Sequence, residues 1–297
     1  RWSTHASAWM SEVAAIMQQH LKHFRYVMSE NPVTVFAFSL FSLIVFLALF
    51  GPWITPYDPI ATNAPNALQP PSWRHIFGTD QLGRDVFSRV IAATRLDLGI
   101  AILAVALSFF FGCAIGCSAG FWGGWTDRIV GRFSDTIMAF PLFVLAMGIV
   151  AAMGNTVENI IYATAIINLP FYARVARAET SVRRQAGYVH AARLCGSGNT
   201  RILATQIFPN ILPPMMVQVS LNMGWAILNA AGLSFIGLGV RPPDAEWGIM
   251  VAEGANYIVS GEWWLAIFPG LALMLAVFCF NLLGDGLRDL VDPQRRT

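Results

Sequence analysis

Six stretches of this chain carry no charged side chain and are long enough, or nearly so, to cross a bilayer: residues 32–53, 98–125, 136–157, 159–173, 211–231 and 263–284. A helix needs about 20 apolar residues to span the hydrocarbon core. Only helices and closed barrels satisfy their own backbone polar groups there. The chain is therefore expected to be all-α, a polytopic membrane protein with six transmembrane helices, short helices on the cytoplasmic side and loops on the external one. Asn31 and Pro32 suit a helix start, an N-cap followed by proline in the first turn. The run 202–240 is uncharged for longer than one span requires. Its prolines at 209, 213 and 214 break its start and place the fifth span at 211–231. The fourth run is short and needs its flanks, or Arg174 snorkelling, to cross.

Composition excludes the main alternatives. Charged residues make up 12% of the chain, against about 25% in soluble domains, and hydrophobic residues make up 56%. The mean hydropathy is +0.55. A soluble enzyme or a disordered chain is incompatible with that balance. A net charge of +2 does not suggest nucleic acid. Residues 1–30 place Trp9, Val13, Ile16, Met17, Leu21, Phe24 and Met28 at helical spacing, which reads as an amphipathic helix on the membrane surface. The chain opens at Arg1 without methionine, which reads as a trimmed start.

Arginine and lysine orient such a bundle, because positive loops stay cytoplasmic. With both termini inside, the cytoplasmic segments hold 14 of the 19 positive residues and the external ones 5. The expected organisation is then a cytoplasmic tail (1–30), a first span (31–53), an external segment (54–97), a five-helix core (98–284) and a cytoplasmic tail (285–297). Within the core, 174–210 is a cytoplasmic loop and 232–262 an external one.

Small-residue spacing at Gly112, Gly116 and Gly120 lets two helices approach closely in lipid. Cys113 and Cys117, four apart without a nearby His, Asp or Glu, read as packing residues rather than metal ligands. Trp263 and Trp264 suit an interfacial belt. Gly284-Asp285 is expected to end the sixth helix, and Asp292-Pro293 to break the chain beyond it. Thr79, Asp80, Arg84 and Asp85 read most simply as helix caps and a surface ion pair, and Gly237 and Gly239 as a turn.

Loop 174–210 concentrates six arginines and so must meet water or a polar partner. Tyr188–Leu194 is expected to be a short helix ending at Cys195-Gly196, and residues 201–208 a second one stopped by Pro209. The two make a compact knob whose small side chains fit a groove on a partner. The order Ala191-Ala192, Gly196, then Ile207 to Pro213 resembles the EAA loop of ABC-importer permeases. His190 stands where that family usually has glutamate. Three more segments are similar to the dipeptide, oligopeptide and nickel branch of these permeases: 77–89, 233–248 and 280–293. Together they look like its "C-type" subunit.

That resemblance implies docking of Tyr188, His190, Ala191, Ala192, Arg193, Gly196 and Ser197 on ATPase subunits, with Pro209 and Pro213 fixing the connection to the spans. It also implies a sister permease, two ATPases, an external solute-binding protein, and a bacterial inner-membrane location. The chain itself has no P-loop, since its one lysine is Lys22 and no glycine-rich turn surrounds it. It is therefore expected not to be an enzyme and to need no cofactor. Dipeptides, longer peptides, nickel chelates and other small solutes all remain open as cargo. A homo-oligomeric channel fits the glycine spacing equally well but has no use for loop 174–210.

Overall fold

The structure, a computed structural model, describes residues 32–291. The expected amphipathic tail, the Asn31 cap and Asp292-Pro293 lie outside those residues. Among the described residues ten α-helices run in order: α1 Pro32–Ile54, α2 Val86–Trp122, α3 Gly124–Met138, α4 Leu142–Met153, α5 Val157–Arg183, α6 Gly187–Leu194, α7 Asn199–Ile202, α8 Phe208–Phe235, α9 Trp247–Ala255 and α10 Trp264–Val291. A single π-helical turn, Leu203–Ile207, joins α7 to α8. No strand forms among the described residues.

Four helical stretches are long and apolar enough to cross a membrane: α1, α2, α7–α8 and α10. The third expected span is not one rod. Residues 136–157 contain a break at Ala139–Pro141, and α3 and α4 meet there at 88°. Pro141 accounts for the break, because a proline disfavours helical geometry in the residue before it. Counted as one bent span, the pair brings the number among the described residues to five. The fourth expected span lies in α5, which is 27 residues long and keeps its helical path beyond Ala173 to Arg183, but it is not apolar enough to count as a membrane-crossing helix, so the described residues give four or five spans where six were expected. The first residues of the expected 174–210 loop are therefore helix.

The ends of other spans also differ from expectation. Helix α2 begins at Val86 rather than near 98, with Asp85 as its N-cap, so the last part of the expected external segment belongs to a membrane helix. Helix α10 continues through Gly284-Asp285 to Val291. A Cβ at Gly284 would lie 2.8 Å from Leu221 Cδ2, so this glycine serves a helix contact rather than a stop.

The most extensive interface joins α2 and α5, and the three-glycine stripe accounts for it. A Cβ at Gly116 would lie 2.2 Å from the Ala173 carbonyl oxygen, and one at Gly120 would lie 2.5 Å from that of Arg177. Only glycine lets the backbones come so near. Ion pairs extend the contact to α3, with Arg177 Nη2 donating to Asp127 Oδ2 at 2.7 Å and Arg174 reaching Asp135 at 3.4 Å. Helix α8 packs against α10, α2 and α5, and α1 against α2 and α10. Cys113, Cys117 and Cys279 are buried as apolar filling, and all four cysteines are free.

Candidate functional site

Helix α2 is 37 residues long, so at about 1.5 Å per residue its ends lie roughly 55 Å apart. Each end carries one of the segments singled out in the sequence.

At its C-terminal end sits the knob. Helix α6 ends in a Schellman turn: Ser197 N–H donates to Ala192 O at 3.0 Å and Gly196 N–H to Arg193 O at 2.9 Å. The turn needs a left-handed residue, and Gly196 supplies it with φ +80°. Val189, Ile202 and Ile207 are completely buried and pin the knob to the core. Burying each such side chain is worth about 1.5–3 kcal/mol.

The outer face is small and polar. Tyr188, His190, Ala191, Arg193 and Gly196 are exposed, while Ala192 and Ser197 are half-buried. The structure therefore brings all seven sequence-named residues onto one compact unit. Sequence reasoning missed Leu194, which is 91% exposed and adds an apolar point to that face. It also missed what holds the knob to α2. Arg184 Nη1 donates to the carbonyls of Gly120 and Phe121 at 3.3 and 3.1 Å, at a helix end whose last carbonyls lack intrahelical donors. The Arg193 guanidinium stacks 5.7 Å from the Phe121 ring centroid.

Pro209 does not stop a helix. It falls in the first turn of α8, where a missing N–H costs little. Pro213 and Pro214 lie inside α8. The π-turn just before them takes up an extra residue, which relieves the backbone where proline rings crowd the preceding turn. Residues 199–235 are thus one continuous 37-residue helical path from the knob into the bundle.

At the N-terminal end of α2 lies a buried polar clip. The expected ion pair forms, but it is buried rather than at the surface: Arg84 is 2% exposed and Asp80 5%. Asp80 accepts from Arg84 Nε at 2.5 Å and from the backbone N–H groups of Leu82 and Arg84, both at 2.9 Å. The cap expectation holds for Asp85, which accepts from Ser88 N–H at 2.8 Å and pairs with His75 Nδ1 at 2.9 Å. Arg89 Nη1 donates to the carbonyls of Pro59 and Pro243, tying the segment to the 232–262 loop.

In that loop Glu246 caps α9 through the N–H groups of Gly248 and Ile249. Burial pushes the Glu246 carboxyl up, and the facing Asp97 carboxylate is its hydrogen-bonding neighbour. Asp97 Oδ2 accepts from Trp247 N–H at 3.1 Å, and the Trp247 indole donates to Val90 O at 3.0 Å. Gly237, with φ +81°, makes the expected turn. Only half of the expected tryptophan belt is exposed. Trp263 is 48% exposed, whereas Trp264 is buried and donates from Nε1 to Thr79 O at 3.2 Å. Among the described residues no three His, Cys, Asp or Glu side chains come together as a metal site.

Several membrane-crossing helices, tied at one end by a buried clip and carrying an exposed helical knob at the other, define a multi-pass transport permease. A model of the "binding-protein-dependent transport system inner membrane component" family matches residues 112–297. A model of the "N-terminal TM domain of oligopeptide transport permease C" matches residues 21–71. A probable D,D-dipeptide transport system permease protein from Escherichia coli (strain K12) is 41% identical, over 95% of this chain and 96% of that protein. A di/tripeptide transport system permease protein from Pseudomonas aeruginosa (strain UCBPP-PA14) is 40% identical, covering 96% and 95%. A nickel transport system permease protein from Escherichia coli (strain K12) is 40% identical, covering 86% and 92%. The chain belongs to the family of binding-protein-dependent transport system inner-membrane components, in its dipeptide, oligopeptide and nickel branch, and is a C-type permease of the bacterial inner membrane.

Proposed function

We propose that this permease is one subunit of an ATP-driven importer for peptides or a related small solute. It pairs with a sister permease, docks two separate ATPase subunits through the knob, and receives cargo from an external solute-binding protein. Both termini and the knob face the cytoplasm, as the arginine distribution favours. The buried clip faces outward.

One observation carries this reading: the knob's exposed face of small side chains rides on a rigid connection. It is held by three fully buried aliphatic residues and passes through one tight turn into the helical path 199–235. A displacement imposed on the knob by closing ATPases is carried along α5 and α8 into the membrane. That is the linkage an alternating-access cycle requires. A plain channel would have no need of it.

The test is Ala191→Trp. Ala191 is exposed, so the indole obstructs a partner without disturbing the knob. The expected result is normal membrane abundance with loss of ATPase subunits from the complex isolated in mild detergent. Recovery of the full complex would overturn the docking assignment. Gly196→Trp is a poorer probe, because φ +80° strains any other residue there. His190→Glu restores the family's usual residue and is expected to keep transport intact.

A further inference from the structure

Halfway along α5, α8 and α10 lies a groove of about 340 Å³, lined by Phe171, Gln218, Asn222, Trp225, Val277 and Asn281 among others, and by no charged side chain. Its polar groups are all carboxamides. Gln218 Nε2 approaches Asn222 Oδ1 at 3.4 Å, which leaves the Gln218 oxygen open. Asn222 is 7% exposed, with its Nδ2 short of a geometric hydrogen-bond partner among the described residues and its side chain beside that of Tyr172. Asn281 Nδ2 donates to Val277 O at 3.0 Å, leaving its side-chain oxygen open on an exposed residue. Along α5, Thr164, Asn168 and Tyr172 lie four apart and buried; Tyr172 sits beside Asn222, and the Thr164 and Asn168 side chains have no hydrogen-bond partner among the described residues.

Open carboxamides at mid-membrane height are costly against lipid tails, and such groups face protein or a water-filled path. A carboxamide is also the chemical copy of a peptide group, with one neutral acceptor and a donor side by side. The Phe171 and Trp225 rings, 6.4 Å apart between centroids, add apolar surface beside the amides.

We propose that this groove is the stretch of transport path contributed by this chain, and that Gln218, Asn222 and Asn281 hydrogen-bond the peptide groups of passing cargo. The inference rests on the importer reading and deepens it, since it assigns cargo contact to named residues and cargo class to uncharged peptide backbone.

The experiment uses the whole complex in native membranes, with Cys195, the exposed cysteine, replaced by serine. Gln218→Cys and Asn281→Cys are compared with Met274→Cys, which lies on the exposed side of α10. A small hydrophilic thiol reagent is expected to modify the two groove positions several-fold faster than position 274. A mixture of neutral alanine di-, tri- and tetrapeptides, added during ATP turnover, is expected to slow the groove reactions alone. Equal rates at all three positions, rates indifferent to the peptides, or a disulfide formed from position 218 or 281 to the sister subunit would each overturn the assignment. Failure of the importer reading shows itself separately, as a complex that carries no ATPase.

Discussion

The seam between α2 and α5 is the best place to test how tightly this bundle is packed, and Gly116→Ala tests it with one methyl group. A Cβ there would lie 2.2 Å from Ala173 O and 2.9 Å from two further backbone atoms of Ala173. An ordinary contact is about 3.4 Å or more, so the helices must part by roughly 1.2 Å at that turn. Neither neighbour is a flexible side chain that can swing aside. Overpacking of this kind costs about 1–3 kcal/mol. The same substitution also gains about 1 kcal/mol of helix propensity, which would blur the result if it were measured alone. Gly99→Ala in the same helix supplies the correction, since a Cβ there meets nothing within 4 Å.

The two variants share the propensity gain and differ in the clash, so Gly116→Ala should be less stable than Gly99→Ala by about 1–3 kcal/mol. Thermal unfolding of the detergent-solubilised protein reads that difference. Transport should fall as well. Parting at Gly116 lies one helical turn before Gly120, whose carbonyl receives Arg184 from the knob side. Equal stability of the two variants would refute the close-packed seam, and with it the physical reading of the glycine stripe.

Asp85→Ala should lower stability by at least the 1–2 kcal/mol typical of a lost N-cap, because it also strips His75 of its partner; melting in detergent against the parent checks this. Asp97→Asn should flatten the pH dependence of stability. Glu246 has a raised pKa in the folded protein, so its contribution is complete below the ordinary carboxyl range and is lost as pH rises through the raised value. Asparagine keeps an acceptor for Trp247 N–H and offers Glu246 a donor, so the variant should match or exceed the parent in neutral buffer. A parallel fall of both proteins with pH would refute the coupling of Glu246 to Asp97. Trp264→Phe keeps the ring but removes the donor to Thr79 O. It should loosen the buried clip, read as faster proteolysis between residues 60 and 85, with the packing of the knob unchanged.

Much of the architecture was legible in the chain because its causes are local or periodic. Uncharged runs mark helices that lipid will accept. Glycine at every fourth position marks a face where another backbone approaches. A small-residue helix leading into Cys195-Gly196 marks the left-handed turn that closes α6. These depend on hydropathy and on allowed φ, which a sequence carries with it. The helix ends at Pro209 and at Gly284 misled for a related reason. Both residues weaken a helix in isolation, yet the π-turn Leu203–Ile207 carries the helical path past Pro209, and Gly284 gains close contact with Leu221.

The sequence by itself determined that the chain is a helical membrane permease and which segments lie at its two ends. Only the tertiary structure decided which charges are buried and which are wet. Arg84 and Asp80 look like a surface pair when read alone, and they become a buried clip because the 54–85 segment and the 232–262 loop close over them. The carboxamides of α8 and α10 likewise become a groove only when α5 packs beside them. Burial is a property of neighbours distant in sequence, and a single residue's chemistry does not contain it.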